Sequence, residues 1–124
     1  MNALVRGLMW PIISLLVVGG THFIAEAVWP SLAAFITPPV VMPIHIIAGA
    51  WAGSGTVRAG GSFVHGLVAG AVLGLLPVAL QLVGFGAILG RDADVVATTA
   101  VFGFFTILWG ATLGSGYAQA QRAS

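Results

Sequence analysis

Four long apolar runs, separated by three short stretches of polar and turn-forming residues, set the pattern of the chain. The first, residues 7–28, is long enough to cross about 30 Å of hydrocarbon as a helix rising about 1.5 Å per residue. Trp10 and Trp29 fall near its two ends, where indole rings favour the membrane interface. Pro11 sits in the first turn, where its missing N–H would be unpaired in any case. Residues 29–36 read as a tight connection. Thr37 is then placed to cap a second helix, residues 38–57, that opens on Pro38 and Pro39 and is expected to kink at Pro43.

The next break is the cluster Thr56-Val57-Arg58-Ala59-Gly60-Gly61, after which Ser62 is positioned to cap a third helix. That third run, residues 63–89, is longer than a bilayer requires, and Pro77 near its middle predicts a kink or a tilt. Gly90-Arg91-Asp92-Ala93-Asp94 is the most hydrophilic turn, with Asp94 as the expected cap of a fourth run, residues 95–118. A polar tail, residues 119–124, follows. The pattern therefore predicts an all-α integral membrane protein, one membrane domain over residues 1–124 folded as a four-transmembrane-helix bundle.

Composition sharpens this reading. Of the 124 residues 59% are hydrophobic and 6% charged, with a mean hydropathy of +1.08, too little polar surface to cover a water-soluble globule. The net charge is only +1, from four arginines against Glu26, Asp92 and Asp94, so no basic field exists to hold nucleic acid. There is no cysteine, which excludes disulfides and thiolate metal sites. Arg6, the apolar run after it and Ala25-Glu26-Ala27 imitate a signal peptide, but Phe23 and Ile24 stand where a cleavage region favours small residues, so a retained first span is expected. Arg6, Arg58 and Arg122 fall on one side of the scheme and Arg91 on the other. The arginine bias puts both termini in the cytoplasm, with the chain in a plasma or inner membrane.

Small residues recur at four-residue spacing: Gly49 and Gly53 in the second run, Gly66, Gly70 and Gly74 in the third, Gly110 and Gly114 in the fourth. Glycine at that period lets a neighbouring backbone approach closely, within one bundle or between subunits. Gly49-Ala50-Trp51-Ala52-Gly53-Ser54-Gly55 also matches Gly110-Ala111-Thr112-Leu113-Gly114-Ser115-Gly116 at five of seven positions. Two tandem helical hairpins in the same orientation are one source of such a match, and chance in a Gly- and Ala-rich chain is the other.

Candidate chemistry is confined to a few groups at membrane depth, where ionisable side chains are costly and tend to face a cavity. His22 and Glu26 are one helical turn apart on one face, and His45 comes to a similar depth on the second span. Gln81, Thr98 and Thr99 fall in the same outer layer. Converging imidazoles and a carboxylate suit a proton- or cation-linked passage, and two His with one Glu also suit a divalent ion. Against both stands a structural role, with Glu26 reaching headgroup water and the histidines bonding across helices. His65 reads as an interfacial residue, and the opposite depths of His45 and His65 speak against haem.

No cofactor is expected, and with no nucleophile beside a base and no nucleotide-binding motif, neither is an enzyme. Size and span number are similar to those of the small multidrug transporters, whose first span carries an acidic residue; Glu26 stands near the end of its span, not the middle, and no family is assigned. The sequence thus leads to a small protein of the lipid bilayer that works as a homo-oligomer or as an accessory subunit among other membrane subunits. The alternative is a small transporter or channel with a site at His22, Glu26, His45 and Gln81.

Overall fold

A computed structural model describes residues 2–123, apart from the side chains of residues 34–40. Every regular element among the described residues is helical. These are α1 (Asn2–Val28), α2 (Pro30–Arg58), α3 (Phe63–Ala79), which passes without a break into a π-helical segment (Leu80–Ile88), and α4 (Ala93–Ala123). Three stretches are long and apolar enough to cross a membrane: α1, the joined Phe63–Ile88 stretch, and α4. The remaining expected span, residues 38–57, falls within α2, which is not among those three and whose 29 residues include those with undescribed side chains.

Several element boundaries differ from expectation, each for a local reason. The connection expected over residues 29–36 is reduced to Trp29, and α2 starts at Pro30, so the favoured first-turn proline is Pro30 and not Pro38. Thr37 lies inside the helix, and its side chain is outside the described residues. α2 ends where the breaker cluster requires: Gly60 adopts φ +107°, and the Gly60 and Gly61 amides donate back to the Val57 and Thr56 carbonyls at 3.1 and 3.0 Å. This is the paired C-terminal closure that a left-handed residue permits.

Ser62 caps α3 as expected, and the sequence left out its partner. The Ser62 hydroxyl accepts from the His65 amide at 3.3 Å, while the Ser62 amide donates to His65 Nδ1 at 3.1 Å. His65 therefore completes a reciprocal cap. Pro77 offers no N–H to the Leu73 carbonyl, and three residues later the helix widens to π winding, shown by the Leu89 amide donating to the Gly84 carbonyl at 2.9 Å. The N-cap of α4 is Asp92, not Asp94: its Oδ1 accepts from the Asp94 amide at 2.9 Å. The expected polar tail continues as helix to Ala123.

Antiparallel neighbours place Arg6, Arg58 and Arg122 at one end of the bundle. There Arg122 donates to the Val57 and Gly61 carbonyls at 3.2 and 2.8 Å, and Arg58 donates to Gln121 at 3.1 Å. α2 and α4 run side by side in the same direction and meet backbone to backbone. A Cβ added at Gly49 would lie on the Ile107 carbonyl and 3.0 Å from the Ala111 nitrogen; one added at Gly110 would lie on the Ile46 carbonyl and 3.1 Å from the Ala50 nitrogen. Gly53 is pressed against Ala111 and Gly114 against Ala50 in the same way.

Every one of these partners is related by one offset of 61 residues, Gly49 to Gly110, Ala50 to Ala111 and Gly53 to Gly114. The seam is reciprocal, as in a two-fold interface between identical chains. α3 lies along one flank of it, with Gly66 on Ser115 and Gly53, and Gly70 on Ala111 and Leu108. α1 packs on α2 and α3 and not on α4, with Gly7 against Thr56. Leu8, Leu15, Ala48, Ala52, Ala69, Leu73 and Ile107 form the core between these helices.

Candidate functional site

At the end opposite Arg58 and Arg122, α1 diverges from the π segment and leaves a cavity of about 540 Å³, within the range of small-molecule sites. Its walls come from α1, α2, the end of α3 and the π segment, and they are apolar apart from His22 and His45. Three local features make the space. Gly19 and Gly20 remove side chains from the α1 wall, Gly84 lets Phe23 close on the π segment, and Pro77 begins the change of winding that displaces the opposite wall. The outermost lining residues, Leu16, Gly20, Val83 and Ile88, belong to α1 and the π segment. The mouth therefore opens sideways between those two elements.

His22 and His45 share this cavity. The His22 ring packs on Phe85 at a centroid distance of 5.1 Å, and Phe23 meets the same ring at 5.8 Å. His45 is half-buried, with its Cε1 3.5 Å from where a Cβ at Gly103 of α4 would stand, an ordinary van der Waals contact. Glu26 is not part of the wall. Its Oε1 lies 3.7 Å from His22 Nε2, and its Oε2 accepts from the Arg91 guanidinium, which reaches across from the turn before α4. The three groups His22, Glu26 and Arg91 form a chain of contacts from the cavity wall to the turn before α4.

The sequence placed His22 and Glu26 together by spacing but gave no sign of the contact between Glu26 and Arg91. Gln81 is buried in the π segment and does not line the cavity. Thr98 and Thr99 are exposed on α4. Among the described residues no three His, Asp or Glu side chains converge on a point that could hold a metal ion, so the divalent-ion reading has no assembled ligand set. The chemistry on offer is that of two imidazoles in an apolar chamber, each a donor and an acceptor when neutral, with a carboxylate one water away.

The seven glycines singled out by their spacing, Gly49, Gly53, Gly66, Gly70, Gly74, Gly110 and Gly114, are all buried inside the chain. Gly74 receives Phe104, and the others line the α2–α4 seam and its α3 flank. No known protein family, curated protein or solved structure matches this chain.

Proposed function

We propose that the protein is a four-span membrane protein, with α2 as the additional span, that binds a membrane-dissolved small molecule in the cavity between α1, α2 and the π segment. The binding is proton-linked through His22, His45 and Glu26. One observation carries this reading: two histidines, costly at membrane depth, face the same lateral apolar chamber. A ligand enters from the bilayer between α1 and the π segment, seats its apolar body on Leu16, Leu80 and Val83, and satisfies a polar group on the imidazoles. A proton passes between His22 Nε2 and Glu26 Oε1 through one bridging water, since 3.7 Å is too long for a direct bond.

The orientation that places Arg6, Arg58 and Arg122 in the cytoplasm puts the cavity in the outer leaflet of a plasma or inner membrane. The glycine stripes serve packing within the chain, since each of their seven glycines is buried there, and do not by themselves argue for contacts between subunits.

The test is photolabelling of the reconstituted protein with an apolar diazirine small enough for the cavity. Insertion at Leu15, a cavity-lining side chain buried from the outer surface, and a two-state pH response that disappears in the His22→Gln, His45→Gln double variant, are the expected results. Labelling restricted to outward-facing side chains would end the proposal.

A further inference from the structure

The reciprocal seam between α2 and α4 has two flanks, and only one is filled. On the filled flank, α3 rests on Gly53, Leu108, Ala111 and Ser115. Shifting each by the 61-residue offset of the seam gives Gly114, Ile47, Ala50 and Ser54. Those four residues line a second groove of about 450 Å³ on the opposite flank, and no element among the described residues covers it. The bundle thus repeats, on its open side, the bed on which it seats its own third helix.

We infer that this open flank is the docking site for a transmembrane helix of another membrane protein, running antiparallel to α2 and α4, with small residues at four-residue spacing and an acid in its first turn. The spacing follows from α3, whose Gly66 and Gly70 are what allow it to sit on Ser115 and Ala111. The groove is continuous with the α2–α4 interface, so an occupant extends contacts the chain already makes.

Charge defines the rest. The groove ends at Arg58, which is exposed and bonds to Gln121 but forms no ion pair with an acid among the described residues. A helix entering antiparallel begins beside that guanidinium, where an acidic side chain also suits the helix N-terminus. The two helices of this chain with that direction, α1 and α3, have no acid in their first turns. The occupant of best fit is therefore a different chain and not a second copy of this one.

The absence of cysteine makes the test direct. Full-length Ser54→Cys protein is reconstituted in phosphatidylcholine vesicles with a synthetic peptide of residues 62–89 that keeps Gly66 and Gly70 and carries Leu67→Cys, and disulfide adducts are measured after mild oxidation. Gly66, next to the thiol, meets Ser115 in the filled flank, so position 54 is the expected partner in the open one, severalfold above a Val17→Cys control on α1. Moving the peptide thiol one turn on, to Ala71→Cys, should move the adduct to Ala50→Cys. A peptide bearing Val64→Glu should raise the yield about threefold over Val64→Gln, and Arg58→Gln should remove that gain.

Three results would overturn the inference. Equal yields at positions 54 and 17 would mean no preferred bed. A preference for Ser115→Cys would mean that the peptide merely displaces α3. Self-crosslinking of Ser54→Cys without peptide would assign the groove to a second copy.

Discussion

The α2–α4 seam and the cavity beside α1 are built from the same small residues put to opposite use. Along the seam, glycine brings two backbones together, so that carbonyl oxygens lie where Cβ atoms would stand. At the cavity, Gly20 has nothing within 4 Å of its missing Cβ, and the removed side chain leaves space. Glycine spacing alone does not separate the two cases. What separates them is whether the opposing helix brings its backbone against the missing Cβ, as Ile107 and Ala111 do at Gly49 and Ile46 and Ala50 do at Gly110. The side with reciprocal contacts is packed backbone to backbone, and the side without them holds the cavity.

Substitutions break this comparison in a graded way, each read by reversible unfolding in mixed micelles. Gly110→Leu should cost about 3 kcal/mol, because backbone atoms of Ile46 and Ala50 cannot move aside as a flexible side chain would. Arg91→Gln should cost about 1 kcal/mol, since its guanidinium is partly exposed and Glu26 keeps His22 beside it. Ser62→Ala should cost a similar amount, about 1 kcal/mol, through loss of the reciprocal cap with His65. Gly20→Leu should change stability by less than about 0.5 kcal/mol while abolishing diazirine labelling at Leu15. A large loss of stability in Gly20→Leu would show that the cavity wall is packed as tightly as the seam.

Much of the fold was legible because its signals are local. Hydropathy marked the apolar stretches, Gly60 and Gly61 marked the end of α2, and Ser62 marked the start of α3. The proline rule was sound but was applied to Pro38, when Pro30 after Trp29 satisfied it eight residues earlier. Asp92 and Asp94 both suit a cap, and only the hydrogen bond from the Asp94 amide decides between them. The π winding was visible solely as the expectation of a kink at Pro77.

The site was half legible for the same reason. A four-residue spacing joins His22 to Glu26, but the contact of Glu26 with Arg91 spans 65 residues of chain, and no periodicity reports it. Gln81 was assigned by depth without knowledge of helix rotation, and the π segment turns it away from the cavity wall. The heptapeptide match between α2 and α4 was legible, with duplication and chance both open as its source; that the two segments face each other lies in the packing of the helices and not in the match.

That reciprocity bears on how the chain is assembled. Elements are made in order, so α2 is synthesised before α4, and the closest backbone contact of the finished protein is among the last to form. Until then α2 presents Gly49 and Gly53 uncovered. Because α4 mimics α2 along this face, the nearest substitute for the missing partner is the α2 of another nascent copy. A chain halted before α4 would pair with its twin through the seam that the completed chain closes on itself.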